Sequence, residues 1–536
     1  MCPRMRPDTV LLAAVMIAAI GRHELAAAQA RHESSRDFAR TVRLTAGQKL
    51  EIDHSQGNID VRVQPGSDAQ IQARIRVSAV SEAEAAQFAQ RIEIQVHERP
   101  TGVLVQTVYP SDRSFWRRNI SFAVDYTITM PDSAPLDVRN RFGNVVVAGL
   151  RGAVTIVNGN GRVGVTDLHG GGRIENSFGA VEAARIGGAL TLTNSNGTVS
   201  VTDVNGPATI TDRFGNVTIR SVRGALSVTN TNGAVDVSDA HAGATVSNTF
   251  GPVKIFDIGG DTTVNNGNGN IDARALRGAA QLNTSFGAIS ATDIAKALRT
   301  VCANSRIVVS RVGGDVYAKT TFGSVDVRDV GADAIVESTN GAVTLEEIRG
   351  RVTSTTSFAA TRLRAVSGEV KVVSQNGDIV VADLGASTYL KTSFGSVQAD
   401  RVGGSLTVDN GNGGIRATAI KGSVTLKTTF AGVWVKDVGG RVEIRNQNGA
   451  IEASIASRPC ADVTLTTSFA PIRAGLPEGA GFTVSAHTSF GRVNSELPIT
   501  ASGEMSAGTL RGSIGGGGCP VTLTNSNGDI IITKAR

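Results

Sequence analysis

Residues able to do chemistry are few in this chain, and they do not converge. Seven histidines are spread over 536 residues. His169 and His241 occupy the same place in a repeat but lie four repeat units apart, roughly 19 Å if the units are stacked strands. Zinc ligands must reach one ion at ~2.0–2.1 Å, so that pair holds no metal. His54, His97 and His487 have no partner at a useful spacing and read as exposed loop histidines. Glu346-Glu347 is the one adjacent glutamate pair in the repeat. Cleaving a glycosidic bond takes two carboxyl groups converging on one face, so this pair reads as solvated charge. Asp167, Asp203, Asp239, Asp257, Asp293, Asp329 and Asp437 recur just before a turn. A calcium-binding β-roll places aspartate in GGxGxD turns, whereas these turns read NGNGR, NSFGA or DLHGG. The aspartates therefore read as turn openers, as in Asp167-Leu168-His169-Gly170, with glycine closing a type I turn. No catalytic residue, metal ligand or cofactor site is assigned.

Two places suit recognition better than catalysis. Ser114-Phe115-Trp116-Arg117-Arg118, in a loop ahead of the repeat, combines aromatic and cationic groups, which suits an anionic glycan or a lipid headgroup; packing against the first coil of the repeat is the competing reading. Trp434 falls at an outward position with Arg416 one unit before it and Glu452 one unit after. Such a tryptophan can stack on sugar or on the arginine itself. Of the cysteines beyond residue 30, Cys302 falls at an inward position and reads as a buried free thiol. Cys460 and Cys519 lie about three units apart in the irregular end of the repeat. A bridge needs Cα atoms within ~7 Å, so loop excursions would have to close the gap, and the sequence leaves that disulfide open.

The elements that must carry these residues are set by an 18-residue period. Glycine recurs at Gly143, Gly161, Gly179, Gly197, Gly215, Gly233, Gly251, Gly269 and Gly287, and the phase continues to Gly449 with Ser305, Ala359 and Ala431 as substitutes. The preceding residue alternates. Phenylalanine stands at Phe142, Phe178, Phe214, Phe250, Phe286, Phe322, Phe358, Phe394 and Phe430. Asparagine stands at Asn160, Asn196, Asn232, Asn268, Asn304, Asn340, Asn376, Asn412 and Asn448. Apolar residues follow each glycine at offsets 2, 4, 7, 11 and 13, for example Val145, Val147, Leu150, Val154 and Ile156. Offsets 2 and 4, and then 11 and 13, have the period of a strand with one buried face. Threonine, valine and isoleucine favour strands.

A period of this length means a solenoid whose units bury their faces on one another. The expected fold is all-β: a parallel, single-stranded β-solenoid with 18 residues per coil in a 36-residue Phe/Asn super-repeat. At ~4.8 Å per coil, some twenty coils make a rod roughly 95–100 Å long. Parity carries the alternating column inward with offsets 11, 13 and 15, so the phenylalanines and asparagines are expected in the core. There each ring would sit over a smaller asparagine coil.

Along the chain, residues 1–30 read as a cleavable signal peptide: a basic start at Arg4 and Arg6, an apolar run from Val10 to Ile20, and Ala28-Gln29-Ala30. Residues 31–141 read as an N-terminal β-rich cap with one short helix at Ser81–Arg91. Residues 142–449 form the regular rod, and residues 450–536 form irregular coils with 21-residue spacing that end on a strand at Asp529–Lys534. That signal peptide is expected to export the chain to the periplasm, the outer surface or the outside of the cell, and no transmembrane anchor is expected in the mature chain. The formal charge of +6, +5 without residues 1–30, is weak over this length and gives no basis for nucleic-acid binding. At 4% aromatic, the chain also lacks stacking platforms for single strands.

The strand–NG–strand–FG units, the LPEG run at 476–479 and the closing GGGGCPVTLTNSNGDI at 515–530 resemble the bacterial "putative adhesin" family of exported β-strand-repeat proteins. The resemblance implies an exported solenoid in surface adhesion or cell-envelope interaction, with a surface glycan or an envelope protein as partner, and it carries no catalytic residues. The expectation is a non-enzymatic rod. The alternatives are a carbohydrate-active parallel β-helix enzyme and, behind it, a calcium-binding β-roll.

Overall fold

The computed structural model describes residues 31–110, 119–455, 460–502 and 506–535. The signal peptide expected at 1–30 lies outside the described residues. Each coil contributes two strands. In one of them, Val163–Leu168 pairs in parallel register with Val145–Ala148 on one side and Val181–Ile186 on the other. In the second, Gly172–Phe178 pairs with Val154–Asn160 and Leu190–Asn196. Partners are 18 residues apart, so two parallel sheets grow coil by coil and face one another. Val163, Val165, Leu168 and Ile174 fill the space between the sheets. The apolar offsets of the sequence are the buried ones because each sheet keeps one wet face. The fold is the expected all-β parallel solenoid with an N-terminal cap.

The turn-opening aspartates behave differently from the type I expectation. Asp167, Asp203, Asp239, Asp257 and Asp293 have φ between 54° and 60°, in the left-handed region. So do Arg185, Ala275, Ala365 and Ala419 at the same offset. The ladder skips this residue: Thr166 pairs with Ala184, then Leu168 with Ile186. One extra residue per strand turns offset 7 back into the core, and aspartate is common there because its short polar side chain tolerates that conformation. Alanine lacks that help. Ala419→Gly should therefore raise stability by about 0.5–1 kcal/mol, the left-handed penalty less glycine's entropy; denaturant unfolding of the two proteins checks it.

The Phe/Asn column requires a correction. Its phenylalanines are outside, with exposures from 47% at Phe142 to 65% at Phe394. Phe178, Phe214, Phe250, Phe286, Phe322, Phe358 and Phe430 fall between these limits. The asparagines at 160, 196, 232, 268, 304, 340, 376, 412 and 448 are half-buried or exposed, so they are not core either. Strand parity holds to offset 15 and no further. Asn176 is 4% exposed, and its Nδ2 donates to the Gly179 carbonyl at 3.1 Å. That bond closes a tight corner, and Phe178 lies on its convex side. The buried amides belong to offset 15, where Asn158 donates to Asn176, Asn176 to Asn194, and Asn194 to Asp212 at 3.1–3.2 Å.

Asp212 ends this ladder as a buried carboxyl whose Oδ2 has no hydrogen-bond partner. Burial pushes its pKa up to about 6. The folded state therefore holds its proton between about pH 4 and 6 while the unfolded chain has released it, and the ionised form costs stability above pH 6. Asp212→Asn should stabilise by about 1–3 kcal/mol at pH 7, with the gain fading as pH falls through 6 to 4. Unfolding midpoints across that range test it.

Both ends of the rod are closed by coils out of chain order. At the N-terminal end, Ile59–Gln64 lies between Ser121–Pro131 and Val145–Ala148. Lys49–Asp53 likewise lies between Gly102–Val108 and Leu136–Phe142. Antiparallel strands Asp68–Ala79, His32–Arg43 and Glu93–Arg99 then cover the open edges. The helix Glu82–Arg91, capped by the Ser81 hydroxyl, sets Phe88 into the core. His32–Arg43 and Glu93–Arg99 each pair on one side and end the two sheets.

At the other end, Cys519–Asn525 inserts between Val463–Thr466 and Phe482–Thr488. Ile530–Lys534 inserts between Ile472–Leu476 and Val493–Ser495. The final strand is therefore interior, and in the other sheet Thr509–Ile514 pairs antiparallel with Phe482–Thr488.

Candidate functional site

The corner column that sequence parity sends inward is the most regular surface of the molecule. Eleven phenylalanines, from Phe142 through Phe430 to Phe469 and Phe490, stand on one edge at 47–76% exposure. An asparagine corner, Asn-Gly everywhere but at Asn304-Ser305, separates each ring from the next, which gives a spacing of roughly 9.6 Å. The interleaved end preserves the pattern. The Asn527 amide donates to the Ser468 carbonyl and the Phe490 amide to the Ser526 carbonyl, so the order in space is Phe469, Asn527, Phe490. Between Arg141 and Ala450, the residues from one before to one after each Phe or Asn corner include five charges: Arg141, Arg162, Arg213, Arg306 and Asp378. The chain as a whole is 19% charged, so this edge is low in charge, with phenylalanines alternating with small and polar corners.

The other candidates resolve one by one. Phe115, Trp116, Arg117 and Arg118 lie outside the described residues. Trp434 is half-buried and stacks on Arg416, whose guanidinium carbon is 4.4 Å from the ring centroid. Glu452 pairs beside it on the next coil. Arg299 stacks in the same way on Tyr317 at 4.2 Å; the 18-residue spacing of two outward positions is the signal for such pairs.

Cys460 and Cys519 are bridged, with Cα atoms 5.8 Å apart. No loop excursion is needed, because Val463 and Val521 are in register and the two coils are direct neighbours. Cys302 is a buried free thiol that donates to the Gly287 carbonyl at 3.2 Å, with its pKa raised by burial.

His54 is not an exposed loop residue. It is 2% exposed, lies 3.0 Å from the Thr107 hydroxyl, and meets the Tyr126 ring edge-on at 5.0 Å. Burial lowers its pKa to about 4, so it is neutral inside the cap. His487 pairs with the Thr509 hydroxyl and His97 with Gln95. Among the described residues no cluster of three or more His, Cys, Asp or Glu is placed to hold a metal ion.

Several carboxylates are matched with arginines across coils. Asp167 meets Arg185 at 2.5 Å, Asp383 meets Arg401 at 2.5 Å, and Glu346 meets Arg328 at 3.2 Å. The bond from Arg185 holds the Asp167 carboxyl below its usual range. These pairs tie coil to coil. No helix among the described residues is long and apolar enough to cross a membrane.

No curated protein matches the sequence. A solved structure of a "putative cell adhesion protein" from Clostridium sporogenes is similar at 10% identity. The match covers 48% of this chain and 98% of that one, with a TM-score of 0.16. The model of the family described as Toastrack DUF4097 matches residues 47–256 and 364–533, more than half of the sequence. The two segments take in the capped first coils, the regular rod on either side of its middle, and the disulfide-bonded end, so the chain belongs to the Toastrack DUF4097 family.

Proposed function

We propose that this chain is an exported, non-enzymatic rod that makes contacts in the cell envelope, as an adhesin or as a scaffold. The observation that carries the reading is the line of eleven exposed phenylalanines. Monomeric proteins rarely expose contiguous apolar patches beyond roughly 300–600 Å², and larger ones mark interaction surfaces. The Cys460–Cys519 bridge supports export, because disulfides persist in oxidising compartments. The basic and apolar start of the sequence supports it too.

The test places the chain from residue 31 on immobilised surface polysaccharides and isolated envelopes. It records both retention and the release of new reducing or unsaturated ends. Retention without cleavage, lost in the triple variant Phe322→Ser, Phe358→Ser, Phe394→Ser, is the expected result. Release of new ends by the purified chain would mean a catalytic face and would overturn the reading.

A further inference from the structure

We infer that the phenylalanine edge is a dimer interface: it takes the same edge of a second, antiparallel copy of this chain. The inference rests on the reading of that edge as a contact surface and names its occupant: the edge joins two copies, envelope contact is made by the assembled pair, and the triple variant loses retention because it loses the pair. Three features of the edge point to a second copy.

The first is period. Rings recur every second coil over the whole rod, and a rigid partner must match that spacing across eleven rings. A partner whose period differed by about 0.5 Å would drift roughly half of the 9.6 Å spacing over ten steps. A second copy has the same period by construction.

The second is shape. The corners between rings carry small residues, such as Gly159-Asn160-Gly161, Ser195-Asn196-Gly197 and Gly411-Asn412-Gly413. Each forms a trough between two phenylalanine ridges. Shifted by one coil, the ridges of one edge enter the troughs of the other, so the edge is self-complementary, as a two-fold interface must be.

The third is area and charge. Rings of this size, 47–76% exposed, offer on the order of 100 Å² each, or about 1,000 Å² per copy. A pair buries about 2,000 Å², which a stable dimer requires. Charge is depleted along the edge, as at interface cores. Arg141, Arg162 and Arg213 all lie towards its N-terminal end. A parallel pair would set these arginines against one another, and like charges across an interface are costly; the antiparallel pair separates them.

The experiment is sedimentation equilibrium with small-angle scattering on the chain from residue 31 at micromolar concentration. The expected result is twice the chain mass, with the cross-section enlarged and the length of one rod nearly kept. The variant Phe322→Ser, Phe358→Ser, Phe394→Ser should weaken association at least tenfold while its circular dichroism and unfolding midpoint stay those of the parent. Phe256→Ser removes an exposed phenylalanine away from the edge and should associate as the parent does. A monomer at these concentrations, a dimer of doubled length, or a dimer untouched by the triple variant would each overturn the inference. A monomer that still bound envelope or polysaccharide through its phenylalanines would leave the contact-surface reading standing, so the two failures are distinguishable.

Discussion

Valine at Gly233 should cost the rod about 4 kcal/mol or more, among the larger effects of single substitutions. Gly233 has φ +133°, a conformation side chains avoid, and a Cβ there would stand 1.9 Å from the Gly215 carbonyl oxygen. The Gly233 amide also donates to the Phe250 carbonyl, so moving the corner to relieve the clash strains the bonding of three coils. Because a solenoid is stabilised by its neighbours, the damage should spread outward from the break and not unfold one coil alone. Hydrogen exchange should rise in the coils around 215–251, and denaturant unfolding should become broader. Ala359 and Ala431 stand in the same column without left-handed φ, so their corners already follow another path. Ala359→Gly is the matched control and should change stability by less than about 1 kcal/mol.

Serine at Cys460 should be the second large loss, about 4 kcal/mol from a bridge whose partners are 59 residues apart. The bridge ties the inserted strand Cys519–Asn525 to the coil it enters. Its removal should free the interleaved end, raising exchange in 463–534 and leaving the coils from 142 to 440 as they were. Thiol titration of the denatured, unreduced chain from residue 31 should find one free thiol, Cys302, and three after reduction. Three without reduction would contradict the bridge.

The repeat made the fold readable because one rule, two strands and two corners in 18 residues, is written many times. Val145, Val147, Leu150, Val154 and Ile156 are buried as their offsets require. The corner departs from the expectation because strand parity ends at offset 15, two residues before the phenylalanine. The Asn176 amide turns the chain, and Phe178 follows on the outside. The left-handed position was hidden because its occupants, Asp167, Arg185 and Ala275, share no chemistry. The interleaved ends are hard to read because there chain order is not stacking order. A signal existed there: Phe469 and Phe490 follow each other without an asparagine between them, and Asn527-Gly528 completes the alternation only when placed between the two coils. The candidate surface was therefore present in the sequence as a column of phenylalanines, with its direction reversed.

That direction is the central claim, and one measurement decides it. The unfolding midpoint of the chain carrying Phe322→Ser, Phe358→Ser and Phe394→Ser should be compared with the parent at nanomolar concentration, where association contributes little. Rings on the outer edge predict a shared midpoint, since exposed substitutions usually shift stability by no more than about 0.5 kcal/mol each. Rings in the core would cost about 3–5 kcal/mol each, and a variant that melts far below the parent, or fails to fold, would contradict the account.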